Sequence, residues 1–460
     1  MNIINLTINK RKRSAFTALF SSFMLIQFVS LRLANGAGRG YLTEAVQEKV
    51  YLFIQVAAIL GFLAHALIRC KERDRTVSCP LTAVSAALCL AGTSIMLFCS
   101  PASLFYLVVT GISVTLVGFI GGSVYERLSM YMSSVRFAGL FIGIGYAAAV
   151  LLQFCLQLQW SLTPLLAFFM FVSFAVLAIL LLNEDCLPAA DADKNKMPSS
   201  RSAIALSIGI TFALLIFTSY YNSYIHHLQI ATGYTDYNVY SWPRLLMIPT
   251  VILFGSLGDI KGGRLLPICT LCISVTALLN TALLGSDTYI LNMCLYYVAL
   301  TAVVAYYHVT FLHLAGNGKH RALTACTGRI IDSVVVIVSF GLNISTQSQF
   351  TVLLINVLAL AAAIIMMAFR GALNLSVQSV PVSKEDSAAD PFPVIGEKYG
   401  ITPSELKVLR ELVTTDDKQV AIASRMNISV STLRHHITSI YRKTGVQTRS
   451  ALCKLLNAAK

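Results

Sequence analysis

In the stretch SVSTLRHHITSIYRKTGV, Ser429 to Val446, the side chains of Ser431, Arg434, His435, Thr438 and Arg442 fall on one side of a helix plotted at about 100° per residue. All of them can hydrogen-bond phosphate oxygens or base edges, and no acidic residue interrupts them. Leu433, Ile437, Ile440 and Tyr441 cluster on the opposite side. That is a helix with an apolar back and a basic, hydrogen-bonding front. Such a helix alone is more often a solvated surface than a reader of nucleic acid, so its surroundings must decide.

A second group of residues lies in a different chemical setting. Arg329 and Asp332, in TGRIIDSVVV, stand one helical turn apart inside a run apolar enough to cross a bilayer. A charge at that depth costs at least a few kcal/mol unless it is paired or hydrated. Two readings stay open: contact with a ligand, or local neutralisation within one helix, with Arg329 snorkelling towards the boundary as a variant of the second. Tyr306, Tyr307 and His308 offer aromatic walls with polar tips, which suit a small organic ligand in a central cavity. Tyr220, Tyr221 and Tyr224 fit an interfacial aromatic belt better. Asp259, in the polar turn GSLGDIKGGR, is the remaining candidate for ligand contact or coupling.

Nothing in the chain resembles a phosphate-cradling glycine loop, HExxH, GxSxG or a catalytic carboxylate pair, so no enzyme, catalytic residue or cofactor is expected. Cys269 and Cys272 form a close pair without the second ligand pair that a zinc site needs, and no metal site is expected. The 11 cysteines follow no disulfide spacing and read as small buried hydrophobes.

The elements that would position these groups are mostly membrane helices. Hydrophobic residues make up 56% of the 460-residue chain and charged residues 12%, against roughly 25% charged in soluble domains. Apolar windows of spanning length recur at about 15–35, 48–68, 80–98, 101–122, 136–158 and 161–183. After the polar stretch Asn183 to Arg201, six more follow at about 203–225, 241–258, 265–284, 288–312, 322–345 and 348–369. The first window lacks a cleavage site and is expected to remain as the first helix.

With a cytoplasmic N-terminus, the basic residues Lys10 to Arg13, Arg69 to Arg75, Arg127, Arg136, Lys194, Lys196, Arg201, Lys261, Arg264, Lys319 and Arg321 all fall inside. Arg32, Arg39, Lys49 and Arg244 fall outside, which is the positive-inside asymmetry. An even number of spans then returns the chain to the cytoplasm at Arg370. The formal charge of +14 is thereby divided between inner loops and a soluble tail.

Residues 371–395 are rich in Ser, Pro, Ala and acid and read as a tether, with a reach of roughly 25 to 30 Å as a flexible coil. In the tail, 396–460, Thr402-Pro403-Ser404-Glu405 predicts a capped helix start with Leu406, Leu409, Leu412 and Val413 on its apolar face. Asp416 or Asp417 caps a second short helix carrying Val420, Ala423 and Met426, and Ser429 caps the third. A fourth, with Thr448 as cap and Leu452, Leu455 and Leu456 on one side, has apolar surface to spare for a dimer contact.

From Ile401 to Leu456 the chain resembles LuxR-type (GerE-like) helix-turn-helix regulators: TPSELKVL is similar to their opening helix and KQVAIASRMNISVSTLRHHITSIYRKTGV to their scaffold and recognition helices. The resemblance implies DNA contact by Arg434, His435 and Thr438, phosphate contact near Thr432 and Lys443, and dimerisation through the helix containing Leu452. Asn427 and Thr444 depart from the family pattern and leave the target sequence open. GSLGDIKGGR resembles the loop motif of the major facilitator superfamily, at Gly255, Asp259, Gly262 and Arg264. In the first half the matching place reads Gly61-Phe62-Leu63-Ala64-His65, with histidine where that family has aspartate.

The expected fold is all-α: a six-plus-six, twelve-helix transporter-like bundle over 1–370, the tether, and a four-helix DNA-binding domain. The expected function is a transcription regulator of the bacterial cytoplasmic membrane, with both termini inside. It senses an unknown small-molecule ligand or membrane state in contact with lipid and binds double-stranded promoter DNA as a homodimer. The alternative is an active transporter with a regulatory DNA-binding tail. With no receiver domain before the tail, control must pass through the spans, their dimerisation or the tether.

Overall fold

Lipid offers backbone N–H and C=O groups no partners, so apolar runs of this length become helices that satisfy themselves. The computed structural model describes residues 2–35, 43–71, 77–101, 103–132, 135, 137–157, 163–182, 200–232, 242–260, 263–283, 289–315, 320–341, 348–372, 399–414, 419, 422–423, 426, 428–446 and 452. It divides into two units, Met1–Val380 and Pro381–Lys460.

The first unit holds α1 (Asn2–Asn35), α2 (Glu44–Lys71), α3 (Ser78–Phe98), α4 (Leu104–Tyr131), α5 (Ala138–Gln157), α6 (Thr163–Leu182), α7 (Arg201–Thr232), α8 (Met247–Leu257), α9 (Leu265–Leu283), α10 (Tyr289–Leu314), α11 (Arg321–Gly341) and α12 (Gln349–Ala372). Among the described residues ten helices are long and apolar enough to cross a membrane. The shorter apolar helices Trp242–Leu257 and Leu265–Thr281 stand where the eighth and ninth spans are expected. The first of these opens as a 3-10 turn, Trp242–Leu246, where Pro243 has no N–H to give to a regular helix. α1 runs through Lys10 to Arg13 instead of starting after them, because Lys and Arg are good helix formers.

Each half of the bundle has its own contacts: α1 with α4, α5 and α6, α2 with α4, and α7 with α10, α11 and α12. The halves meet where α5 lies against α8 and where α2 and α4 lie against α11. The first of these seams needs glycine: a Cβ on Gly139 would strike the carbonyl oxygen of Gly255, and the reverse also holds. Phe16, Phe20, Phe23, Tyr125, Tyr221 and Tyr307 fill the interior, while Phe53, Leu60, Ile112, Phe171 and Leu358 point outwards as a lipid-facing surface.

Two expectations are corrected here. Tyr220, Tyr221 and Tyr224 are buried rather than belt residues. Tyr221 donates to Asn292, which also accepts from Asn280, so polar partners inside the bundle hold a hydroxyl that the pattern assigned to the interface. Of the described cysteines only Cys89 and Cys326 are buried; Cys99, Cys155 and Cys272 are exposed, because lipid is as suitable for a thiol as a protein core.

The second unit holds α13 (Pro403–Thr414) and α14 (Val430–Thr444). α13 starts in a capping box: the Thr402 N–H donates to Glu405 Oε2 at 2.7 Å and the Glu405 N–H to Thr402 Oγ1 at 3.4 Å. Ser429 Oγ accepts from the Thr432 N–H at 3.1 Å to start α14, which ends in Gly445 at φ 72°, a left-handed cap. Ile401, Val408, Leu409, Leu412, Ile422, Ala423, Leu433, Ile437, Ile440 and Leu452 close one core. Asp416, Asp417, Val420, Thr448, Leu455, Leu456 and the tether from 373 onwards lie outside the described residues.

Candidate functional site

The outward face of α14 carries the side chains singled out by spacing. Ser431, Thr432, Arg434, His435, Thr438 and Arg442 are exposed, while Leu433, Ile437 and Ile440 turn into the core. Arg434 Nε rests on Gln419 Oε1 at 3.2 Å, and Thr438 Oγ1 donates to the Arg434 carbonyl at 2.9 Å. The face presents guanidinium, imidazole and hydroxyl groups with α14's own backbone satisfied behind them.

Lys443 behaves differently. It is half-buried, and its Nζ donates to Glu405 Oε2 at 2.6 Å while Ser439 Oγ donates to Glu405 Oε1 at 2.6 Å. Glu405 therefore caps α13 and ties it to α14. Its capping role was legible in the sequence, but a bond across 38 residues was not.

Burial alone would raise the Glu405 pKa. The Lys443 ammonium, then Ser439 and Thr402, outweigh it and hold the carboxyl down at about 2. A depressed carboxylate stabilises the fold above its unfolded value near 4.5 and loses that contribution as pH falls towards 2. We expect acid unfolding of the tail to steepen across that window, and Glu405→Gln to flatten the dependence while lowering Tm near neutral pH. Circular dichroism melts over pH check this; an unaltered pH profile in the variant would contradict it.

In the membrane unit, α11, α10 and α1 converge on one guanidinium. Arg329 Nη1 donates to Asp332 Oδ2 at 2.6 Å and to the Tyr307 hydroxyl at 3.0 Å. Gln27, with its amide turned so that the oxygen faces Arg329, accepts from Nε at 3.2 Å and Nη2 at 2.5 Å. Arg329 is thus held inside the bundle and does not snorkel. His308 stacks on Tyr307, with ring centroids 4.4 Å apart. Its Nδ1 lies 2.8 Å from the Val304 carbonyl, which only accepts; the ring proton is placed there, and Nε2 accepts from the Tyr125 hydroxyl at 2.8 Å. Phe20 and Tyr146 pack against the same imidazole.

Tyr307, His308, Arg329 and Asp332 are therefore brought together, and Gln27, Tyr125 and Tyr146 join them. Gln27, an amide in the middle of the first apolar run, was the available signal for the first of these. Tyr306 is not part of this group: it faces the other side of α10, towards Ser207 and Arg370.

Asp259 lies elsewhere again. From the turn after α8 its carboxylate accepts the Gly139 and Leu140 N–H groups at 2.9 and 2.8 Å, capping α5 of the other half. Burial raises its pKa and these two N–H groups oppose the shift. In the first half the carboxylate missing at position 65 is supplied by α4: Glu126 accepts from Arg69 Nε at 2.9 and 3.0 Å and lies 3.1 Å from His65 Nε2. Cys269 and Cys272 sit on α9, half-buried and exposed.

Residues 400–456 match the family of bacterial regulatory proteins, luxR family. The tail is a LuxR-type helix-turn-helix domain. No curated protein matches the chain. Among solved structures the chain is similar to the human organic anion transporter MFSD10 (TETRAN), with a TM-score of 0.56 and 14% identity over 78% of this chain and 99% of that one. It also matches an auto-inhibited POT family peptide transporter, with a TM-score of 0.49 and 13% identity over 79% and 97%. The membrane unit has a major-facilitator-like transporter fold, and the chain is a multi-pass membrane protein.

Proposed function

We propose that this chain is a membrane-bound transcription regulator, in which a transporter-like bundle senses a small ligand or membrane state and a tethered LuxR-type domain binds promoter DNA. The observation that carries the reading is the exposed, acid-free face of α14, within a domain matched to a regulator family, on the same chain as ten described helices long and apolar enough to cross a membrane. Arg434, His435 and Thr438 address base edges in a major groove; Ser431, Thr432, Arg442 and Lys443 address phosphates. Two copies, joined through the helix containing Leu452, occupy the two half-sites. The segment 371–395 is the tether between 1–370 and 396–460.

The ligand site is the group around Arg329, Asp332, Tyr307 and His308, where a polar ligand competes for a guanidinium that three protein groups now hold. Asp259, bridging the halves, belongs to the coupling between bundle states rather than to the ligand site.

This requires the tail to face the cytoplasm. Reporter fusions after Arg75, Arg201 and Lys460 are expected to report cytoplasm, and one after Thr346 the outside. An external C-terminus would overturn the reading. Accumulation of a labelled solute by proteoliposomes would instead favour a working transporter.

A further inference from the structure

α2 and α4 touch where glycine lets them: a Cβ on Gly118 would strike the Ala58 carbonyl oxygen, and one on Gly61 the Thr115 carbonyl oxygen. Towards the start of α2 the same two helices leave between them a groove of about 740 Å³, open along one side. α2 lines it with Lys49, Phe53, Val56 and Leu60, a stripe at helical spacing, and α4 with Val108, Gly111 and Ile112. Ala57 and Gly111 are a buried floor, while Phe53, Val56, Leu60, Val108 and Ile112 are exposed walls. A Cβ on Gly111 would meet the Phe53 ring, so glycine is what lets that ring lie across α4.

Depth and charge decide what fits the groove. Lys49 opens the apolar span Lys49–Lys71 and is, among the described residues, the one charged side chain lining the groove. It is exposed. α4 has no charged residue from Leu104 to Val124, and Glu44 and Glu48 stand off the α2 stripe that carries Lys49. The rise along α2 from Lys49 to Leu60 is about 16 Å. One leaflet of a hydrocarbon core about 30 Å thick is about 15 Å deep. The groove therefore has an ammonium at headgroup level and apolar walls down to the middle of the bilayer. A second copy of the chain fits less well: a two-fold contact pairs a face with itself, and this face has a cation with no acid to meet it.

We propose that the groove binds one anionic glycerophospholipid from the leaflet at the start of α2, with its phosphate against Lys49 and an acyl chain lying between the two helices as far as Leu60. Hydrocarbon wets every outward face of the bundle, so the walls hold a chain without choosing among headgroups. The choice comes from Lys49, whose ammonium favours a headgroup of net negative charge over a zwitterionic one. Its methylenes lie along the apolar wall while the charge stays at the polar boundary. None of these residues belongs to the group around Arg329.

The test uses full-length protein in vesicles of equal parts dioleoyl-phosphatidylglycerol and dioleoyl-phosphatidylcholine. The protein is extracted in mild detergent, and the lipid it retains is weighed by native mass spectrometry. One retained phospholipid is expected, with phosphatidylglycerol favoured about fivefold, the effect of one lysine near an anionic headgroup. Lys49→Gln is expected to lose that preference and Lys49→Arg to keep it. Val56→Trp, whose indole fills the groove, is expected to lose the retained lipid of both kinds. Both positions are exposed, so the substitutions leave the core intact. Equal retention of the two lipids by the wild type, or a preference unaltered in Lys49→Gln, would overturn the proposal. So would retention unaltered in Val56→Trp, or lipid-free protein pairs that Val56→Trp separates, which would make the groove an interface between copies.

Discussion

Arg329→Ala is expected to silence the signal response while leaving DNA binding by the tail intact. The guanidinium is the hub on which Asp332, Tyr307 and Gln27 all converge. Removing it leaves the half-buried Asp332 carboxylate without its guanidinium partner, which lowers stability. Full-length protein should therefore melt at a lower temperature, and reporter transcription should no longer change between inducing and non-inducing growth. Stability and signalling can be separated with the double variant Arg329→Met, Asp332→Leu, which removes both charges. Replacing a buried ion pair by apolar groups is often neutral for stability. The double variant is expected to regain Tm but not the response. A normal response in either variant would remove Arg329 from the sensing site.

The second large effect is on DNA. Arg434→Ala is expected to cost about 1–3 kcal/mol in binding by residues 396–460 and to relax preference at one position of each half-site. In the free domain its exposed side chain rests on Gln419, so Tm should barely move. Arg442→Ala, at an exposed position one turn before the C-terminal cap, should weaken all sequences alike and lower the salt slope by about one. Lys443→Ala combines two losses, because the ammonium that addresses a phosphate also neutralises Glu405. It should lower both the salt slope and Tm. Gel-shift titrations over several salt concentrations, on specific and scrambled duplexes, together with thermal melts, separate these three behaviours. Unchanged affinity in the double variant Arg434→Ala, Arg442→Ala would falsify the assignment of α14 as the recognition helix.

The reach of the sequence differs between the two units for a physical reason. In the tail, local signals are strong: Thr402, Glu405 and Ser429 mark helix starts through short-range bonds, and the apolar period sorts Leu433 and Ile437 from Arg434 and Thr438. In the bundle, apolar residues face both lipid and core, so periodicity does not separate inner from outer. That is why Tyr221 read as an interface residue and the cysteines as buried. Long-range polar partners escaped for a similar reason. Gln27 with Arg329, Tyr125 with His308, and Glu126 with His65 join helices far apart in the chain, and single residues carry no mark of such pairing. Arg329 and Asp332 were legible because a charge in an apolar run always needs an explanation.

The central claim is that the membrane-embedded chain itself occupies promoter DNA. The most direct measurement is sequencing of the DNA crosslinked in cells to the full-length protein, compared with the Arg434→Ala protein at equal abundance. The account expects discrete sites built on paired half-sites, lost in Arg434→Ala and altered in occupancy in Arg329→Ala. Enrichment no different between wild type and Arg434→Ala would contradict it.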